Sequence, residues 1–137
     1  MGAFRVPIEI ANVQGQRFEA VEALVDTGAT YTMVPRALLQ RLGVVPEERW
    51  PFTLADGRTV EYDIAQIQVR LDGRRRYTVV VFGDDGAQCL LGVVTLEELR
   101  LGVDPVNRRL IPVPGGVKAL HLALMTNPAA VGARAFS

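Results

Sequence analysis

A chain of 137 residues with 49% hydrophobic and 22% charged side chains is long enough for one domain with a genuine core and too short for two of ordinary size. Its 15 basic residues balance 15 acidic ones, so no global field recruits nucleic acid or an anionic membrane surface. One cysteine (Cys89), one histidine (His121) and a lone serine at the terminal Ser137 exclude an intramolecular disulfide, a cysteine and histidine zinc cluster and a serine triad, so hydrolytic chemistry here must rest on carboxylates.

In chain order, the alternation of Val6, Ile8 and Ile10, the polar turn Asn12 to Gln16 and a second apolar run from Phe18 to Val25 predict a β-hairpin. That run ends in a carboxylate, Asp26, followed at once by Thr27, Gly28 and Ala29 in the segment ALVDTGAT (23–30). A carboxylate at the end of a buried strand, entering a tight turn with a glycine that lets backbone approach a ligand, makes Asp26 the candidate catalytic residue. The competing role is structural: an aspartate before glycine commonly bonds its own backbone in an Asx-type turn, and these four residues alone leave both roles open.

Beyond the turn, Pro35 to Leu42 carries leucines at 38, 39 and 42 with Gly43 behind them, which predicts a short helix. Residues 52–64 place Asp56-Gly57 between two strand-like runs and predict a second hairpin. From residue 65 the first pattern recurs: AQIQVRL, a turn at Asp72-Gly73, YTVVVF, the loop GDDGAQ, then Leu90-Leu91-Gly92 and the leucine-rich LEELRLGV. Gly28 is aligned with Gly92, and Leu42-Gly43-Val44 with Leu101-Gly102-Val103, so Leu90-Leu91 fall where the first copy has Asp26-Thr27. On that alignment each chain supplies a single catalytic-type carboxylate. The run Arg74-Arg75-Arg76 reads as a solvated turn, Asp84-Asp85 as a glycine loop, Glu97-Glu98 as a helix start, and Asp104-Pro105 as a turn. Cys89, in an apolar run, reads as a buried and inert thiol.

This order of motifs resembles the retroviral-type (retropepsin-like) single-domain aspartic proteases over roughly residues 4–113. The resemblance rests on ALVDTGAT at 23–30, the hairpin at 52–64 in the place of that family's flap, and CLLG at 89–92 before a short helix. It implies a mostly β fold, a closed acid-protease-like barrel with duplicated hairpin-turn-helix units and two short helices, occupying residues 1–114, with 115–137 a C-terminal extension. It implies that Asp26 is catalytic, that Thr27, Gly28 and Ala29 build its turn, that Ala55, Asp56, Gly57 and Arg58 form the flap tip over substrate, and that Leu90, Leu91 and Gly92 form the supporting apolar turn. Two chains must then join as a homodimer, each giving one Asp26. The flap tip departs from the family in being poorer in glycine and more charged.

The activity so implied is aspartic endopeptidase, with an extended polypeptide as substrate and with no metal, cofactor, nucleic acid or membrane as partner. The alternative is a noncatalytic dimeric module that holds an extended peptide under its hairpin. No leader, membrane span or myristoylation pattern is legible, since Val6 stands where that pattern needs serine or threonine, and the expected location is cytoplasmic.

Overall fold

The computed structural model describes residues 3–113; the segment from 114 on, and with it the expected extension at 115–137, Lys118 and His121, lies outside the described residues. The first hairpin forms as its alternation predicts: β1 (Phe4–Ala11) and β2 (Glu19–Val25) pair antiparallel, burying Phe4, Ile8, Ile10, Ala23 and Val25. Next come β3 (Thr32–Pro35) and α1 (Arg36–Arg41). Pro35, which has no N–H to lose, caps α1 at its start, and Gly43 at φ 78° ends it, the conformation for which glycine carries no steric cost.

The second hairpin joins β4 (Glu48–Thr53) to β5 (Thr59–Leu71), with Gly57 at φ 88° in the turn. Its strands reach back to Glu48, four residues before the predicted start. β5 turns at Asp72-Gly73, both at positive φ as a tight hairpin requires, into β6 (Arg74–Gly83). The short β7 (Leu90–Leu91), α2 (Val93–Glu98) and a separate hairpin of β8 (Leu101–Asp104) and β9 (Arg109–Pro112) complete the described chain.

Seven strands form one sheet in the order β1-β2-β7-β3-β6-β5-β4, and β1 pairs with β5 as well. The duplication is visible in this order, but in a different register from the one the sequence suggests. The units are β1-β2-β3-α1 and β5-β6-β7-α2, and each exchanges its third strand: β3 lies parallel to β6, β7 parallel to β2. The loop 26–31 is therefore the counterpart of the loop 84–89, and Asp26 the counterpart of Asp84. In both loops the first aspartate's carbonyl accepts the N–H three residues on, Ala29 N–H to Asp26 O and Ala87 N–H to Asp84 O, each at 3.0 Å. Leu90-Leu91 correspond instead to β3. Likewise Leu101-Gly102-Val103 do not close the second helix. Arg100, at φ 56°, takes the left-handed position that Gly43 takes in the first unit, and Gly102 lies within β8. The repeated leucine-glycine-valine triplet misled because only one of its two glycines serves a helix end. Glu97 and Glu98 end α2 rather than start it.

Candidate active site

The buried end of β2 delivers Asp26 into its turn. Asp26 N–H donates to Leu91 O at 3.2 Å, which ties the turn to β7. The carboxylate Oδ1 accepts the Gly28 N–H at 2.9 Å, so the Asx-type bond weighed as a structural role is present. Gly28 suits this close approach: a Cβ at this position would stand 3.2 Å from that oxygen, a tight contact. Asp26 and Thr27 are half-buried, and Gly28 is exposed.

The turn is gripped from behind by the start of α2. Val93 N–H donates to Ala29 O and Val94 N–H to Thr30 O, each at 2.9 Å, so two of the helix's unpaired first-turn donors are satisfied by the loop that carries Asp26. Gly92 permits the approach, because a Cβ there would fall 2.5 Å from the Tyr31 carbonyl carbon. The counterpart loop repeats the grip with a side chain: Asp85 Oδ1 accepts Ala37 N–H of α1 at 3.0 Å. Asp85 thus has a helix-capping role that its reading as a plain glycine-loop residue missed.

A pocket of about 450 Å³ opens beside the turn, lined by Gly28, Ala29, Thr30, Tyr31 and Met33, by Phe52, Thr53, Leu54 and Ala55 of the second hairpin, and by Tyr62, Val81 and Leu90. Four of the residues singled out in the sequence, Gly28, Ala29, Ala55 and Leu90, meet around it. The others stand apart from its wall. Asp26 and Thr27 lie just before the stretch of loop that lines it, Leu91 is fully buried in the core, and Gly92 packs on Tyr31. Asp56, Gly57 and Arg58 form the exposed hairpin tip, where Asp56 accepts from Arg58 through N–H (3.0 Å) and Nε (2.7 Å), and this bonding holds the Asp56 carboxyl below its ordinary range.

The aromatic character of the pocket was not anticipated. Tyr31 meets Trp50 and Phe52 edge-on at centroid distances of 5.6 and 6.2 Å, and Phe52 meets Tyr62 at 5.8 Å. Folding the hairpin about Asp56 brings Trp50 opposite Tyr62. That signal was available in the sequence as equal spacing from the turn. At the hairpin's base Asp63 accepts from Arg36 at 2.6 Å and Arg49 at 3.1 Å, and the Arg36 bond above all keeps its carboxyl below the usual range. Cys89 is buried and its thiol is pushed up to about 12 by burial, which removes it as a nucleophile near neutral pH. Among the described residues no cluster of three or more His, Cys, Asp or Glu side chains could hold a metal, and no helix is long and apolar enough to cross a membrane.

Residues 11–98 match the sequence model of the family described as "gag-polyprotein putative aspartyl protease". The chain belongs to this family. Its retropepsin-like membership agrees with the resemblance carried by ALVDTGAT and the order of motifs after it. Among solved structures, the protease of EIAV, determined in complex with the inhibitor HBY-793, matches with a TM-score of 0.50 at 18% identity, covering 80% of this chain and 93% of that one. Simian foamy virus (mac) protease, a solution structure, matches with a TM-score of 0.47 at 22% identity, covering 66% of this chain and 91% of that one. No curated protein matches the sequence. At these identities the EIAV likeness concerns the fold alone, a mostly β architecture.

Proposed function

We propose that the chain is an aspartic endopeptidase that acts as a homodimer, with one Asp26 from each copy. The observation that carries this reading is the Asp26 turn itself, clamped by Leu91, Val93 and Val94 beside an apolar pocket, in a chain of this family. The sheet geometry supports the second copy in this two-carboxylate reading. The only aspartate in an equivalent place, Asp84, follows β6, which is three strand spacings from β2, about 14 Å, and runs antiparallel to it. Two carboxylates that far apart cannot share a proton. The β1–β5 pairing supports a further part of this reading, that the sheet closes as a barrel.

Two carboxylates brought together across a twofold axis do not both ionise readily, so they hold one proton between them, the behaviour for which aspartic proteases are the standard example. The ionised Asp26 takes a proton from a water held between the pair, and the resulting hydroxide attacks the scissile carbonyl carbon. The protonated Asp26 donates to the carbonyl oxygen. Collapse of the tetrahedral species returns a proton to the leaving amine, without a covalent intermediate, metal or cofactor. An extended polypeptide would lie under the β4–β5 hairpin with bulky apolar side chains against Tyr31, Phe52 and Tyr62. The cytoplasmic location and the division at residue 114 belong to the same proposal.

The decisive variant is Asp26→Asn, which keeps shape and the bond to Gly28 while removing the ionisable group from both copies. Peptide cleavage should fall by about three orders of magnitude or more, with an unchanged circular dichroism spectrum. Sedimentation should place the active species at twice the chain mass. Retained cleavage in the variant, or a strict monomer at concentrations that cleave peptide, would sink the reading. A noncatalytic peptide-binding module would instead bind extended peptide equally well with either residue and cleave it with neither.

A further inference from the structure

The clamp on the Asp26 loop has its own anchor, a run of buried hydroxyls beneath it. Gly92 N–H donates to Thr32 Oγ1 of β3 at 3.1 Å, Thr32 Oγ1 lies 2.6 Å from Thr95 Oγ1 of α2, and Thr95 Oγ1 lies 2.8 Å from Thr78 Oγ1 of β6. Thr32, Thr78 and Thr95 are all sealed from solvent, at 0, 1 and 0% exposure. Each hydroxyl has one proton to give, and in an apolar core each proton must find an acceptor.

The run ends beside a buried carboxyl. Near Thr78, the Glu98 Oε1 is buried without a hydrogen-bond partner; burial raises the Glu98 pKa while Thr78, and then the Arg76 guanidinium, lower it. Thr95 Oγ1 lies within hydrogen-bond distance of both other hydroxyls, so it can donate to one and accept from the other. At the other end Thr32 accepts from a group that can only donate, the Gly92 N–H. A valine at 95 would have the same shape but would remove the hydrogen-bond partner that the buried Thr32 and Thr78 hydroxyls share.

We infer that Thr95 is a positioning residue for the Asp26 loop: as the hub joining β3, α2 and β6, it locks α2 in the place from which Gly92, Val93 and Val94 hold residues 26–31. The inference deepens the protease reading and rests on it for its catalytic consequence, but the mechanical coupling is measurable without any activity.

The experiment follows amide hydrogen exchange and peptide cleavage in the wild type, Thr95→Val and Thr95→Ser. In Thr95→Val the amides of Asp26, Gly92, Val93 and Val94 should exchange about tenfold faster, as expected for one buried hydroxyl pair left unmatched, while Val69 in the β1–β5 pairing keeps its protection. Thr95→Ser, which keeps the hydroxyl, should restore both. Cleavage by Thr95→Val should lose kcat, and KM should rise with it because Gly28, Ala29, Thr30 and Tyr31 of the loosened loop line the pocket. Equal acceleration at every amide, or none at Gly92 and Asp26, overturns the inference. Selective acceleration in a protein that cleaves no peptide leaves the inference standing and defeats the protease reading instead. Should Thr95→Val not fold, the wild type still decides: the Thr95 hydroxyl proton should be visible by NMR in slow exchange with water, and its exchange at the free-solvent rate refutes the chain.

Discussion

At the scale of single residues, two acids and a thiol illustrate how position sets chemistry. Asp26 and Asp85 both follow strand ends in counterpart loops, yet Asp26 bonds the glycine of its own turn while Asp85 caps another element's helix. Cys89 was legible as inert from its apolar neighbours, and burial accounts for its behaviour fully. With the thiol pushed from 9.0 to about 12, the folded protein holds its proton where the unfolded chain releases it. Cys89 therefore contributes stability that is fully present below pH 9 and is lost as pH rises towards 12. Alkylation by iodoacetamide at pH 8 should be about a hundredfold or more slower in the folded protein than in urea, and comparable rates would contradict the burial.

Among elements, the ends of the two helices differ in a way that is open to test. Gly43 and Arg100 occupy the same left-handed position, and only the arginine carries a Cβ penalty there. Arg100→Gly should stabilise the protein by about 0.5–1 kcal/mol in chemical denaturation, with no change at the pocket; a destabilised variant would mean that the Arg100 side chain makes a contact of greater worth. The β4–β5 hairpin is the other element with a separable role. Its tip, Asp56 to Arg58, is exposed and self-bonded, whereas its base is fastened by the Arg36–Asp63–Arg49 ion pairs and its inner face by Tyr31, Trp50 and Phe52. Deleting Asp56–Arg58 should leave the thermal midpoint within a few degrees, since exposed ion pairs contribute about 0–1 kcal/mol, yet abolish peptide cleavage. An unchanged cleavage rate would show that the hairpin does not act as a flap.

For the molecule as a whole, the proposed chemistry depends on a proton shared between two copies, and this has a pH signature. Cleavage should follow a bell, losing the base on the acid side when the pair gains a second proton and losing the acid on the alkaline side when the shared proton leaves. EDTA should leave the rate untouched. A rate that a chelator abolishes, or one governed by a single ionisation, would defeat the two-aspartate mechanism. The acid limb needs one control, because Asp63 is held low by Arg36 and Arg49 and so adds stability above its ordinary 3.8 that is lost as pH falls further. Asp63→Asn removes that contribution and should leave the bell in place.

Much of this was readable from residue order because it is local. Alternation sets the first hairpin, Asp56-Gly57 and Asp72-Gly73 set two turns, Gly43 ends α1, and the DTGA segment marks the candidate site and the family, since each depends on neighbours within a few positions. What residue order left open is set by contacts across the chain. The true register of the duplication emerges only from the exchange of β3 and β7 between units, which pairs Asp26 with Asp84 and not with Leu90. The clamp of α2 on the Asp26 loop, the cap that Asp85 gives α1, and the hydroxyl run through Thr32, Thr78 and Thr95 join residues 17 to 64 positions apart. Sequence spacing does not encode such meetings; the pairing of strands decides them, by bringing distant side chains to one point and leaving each buried polar group to find a partner there.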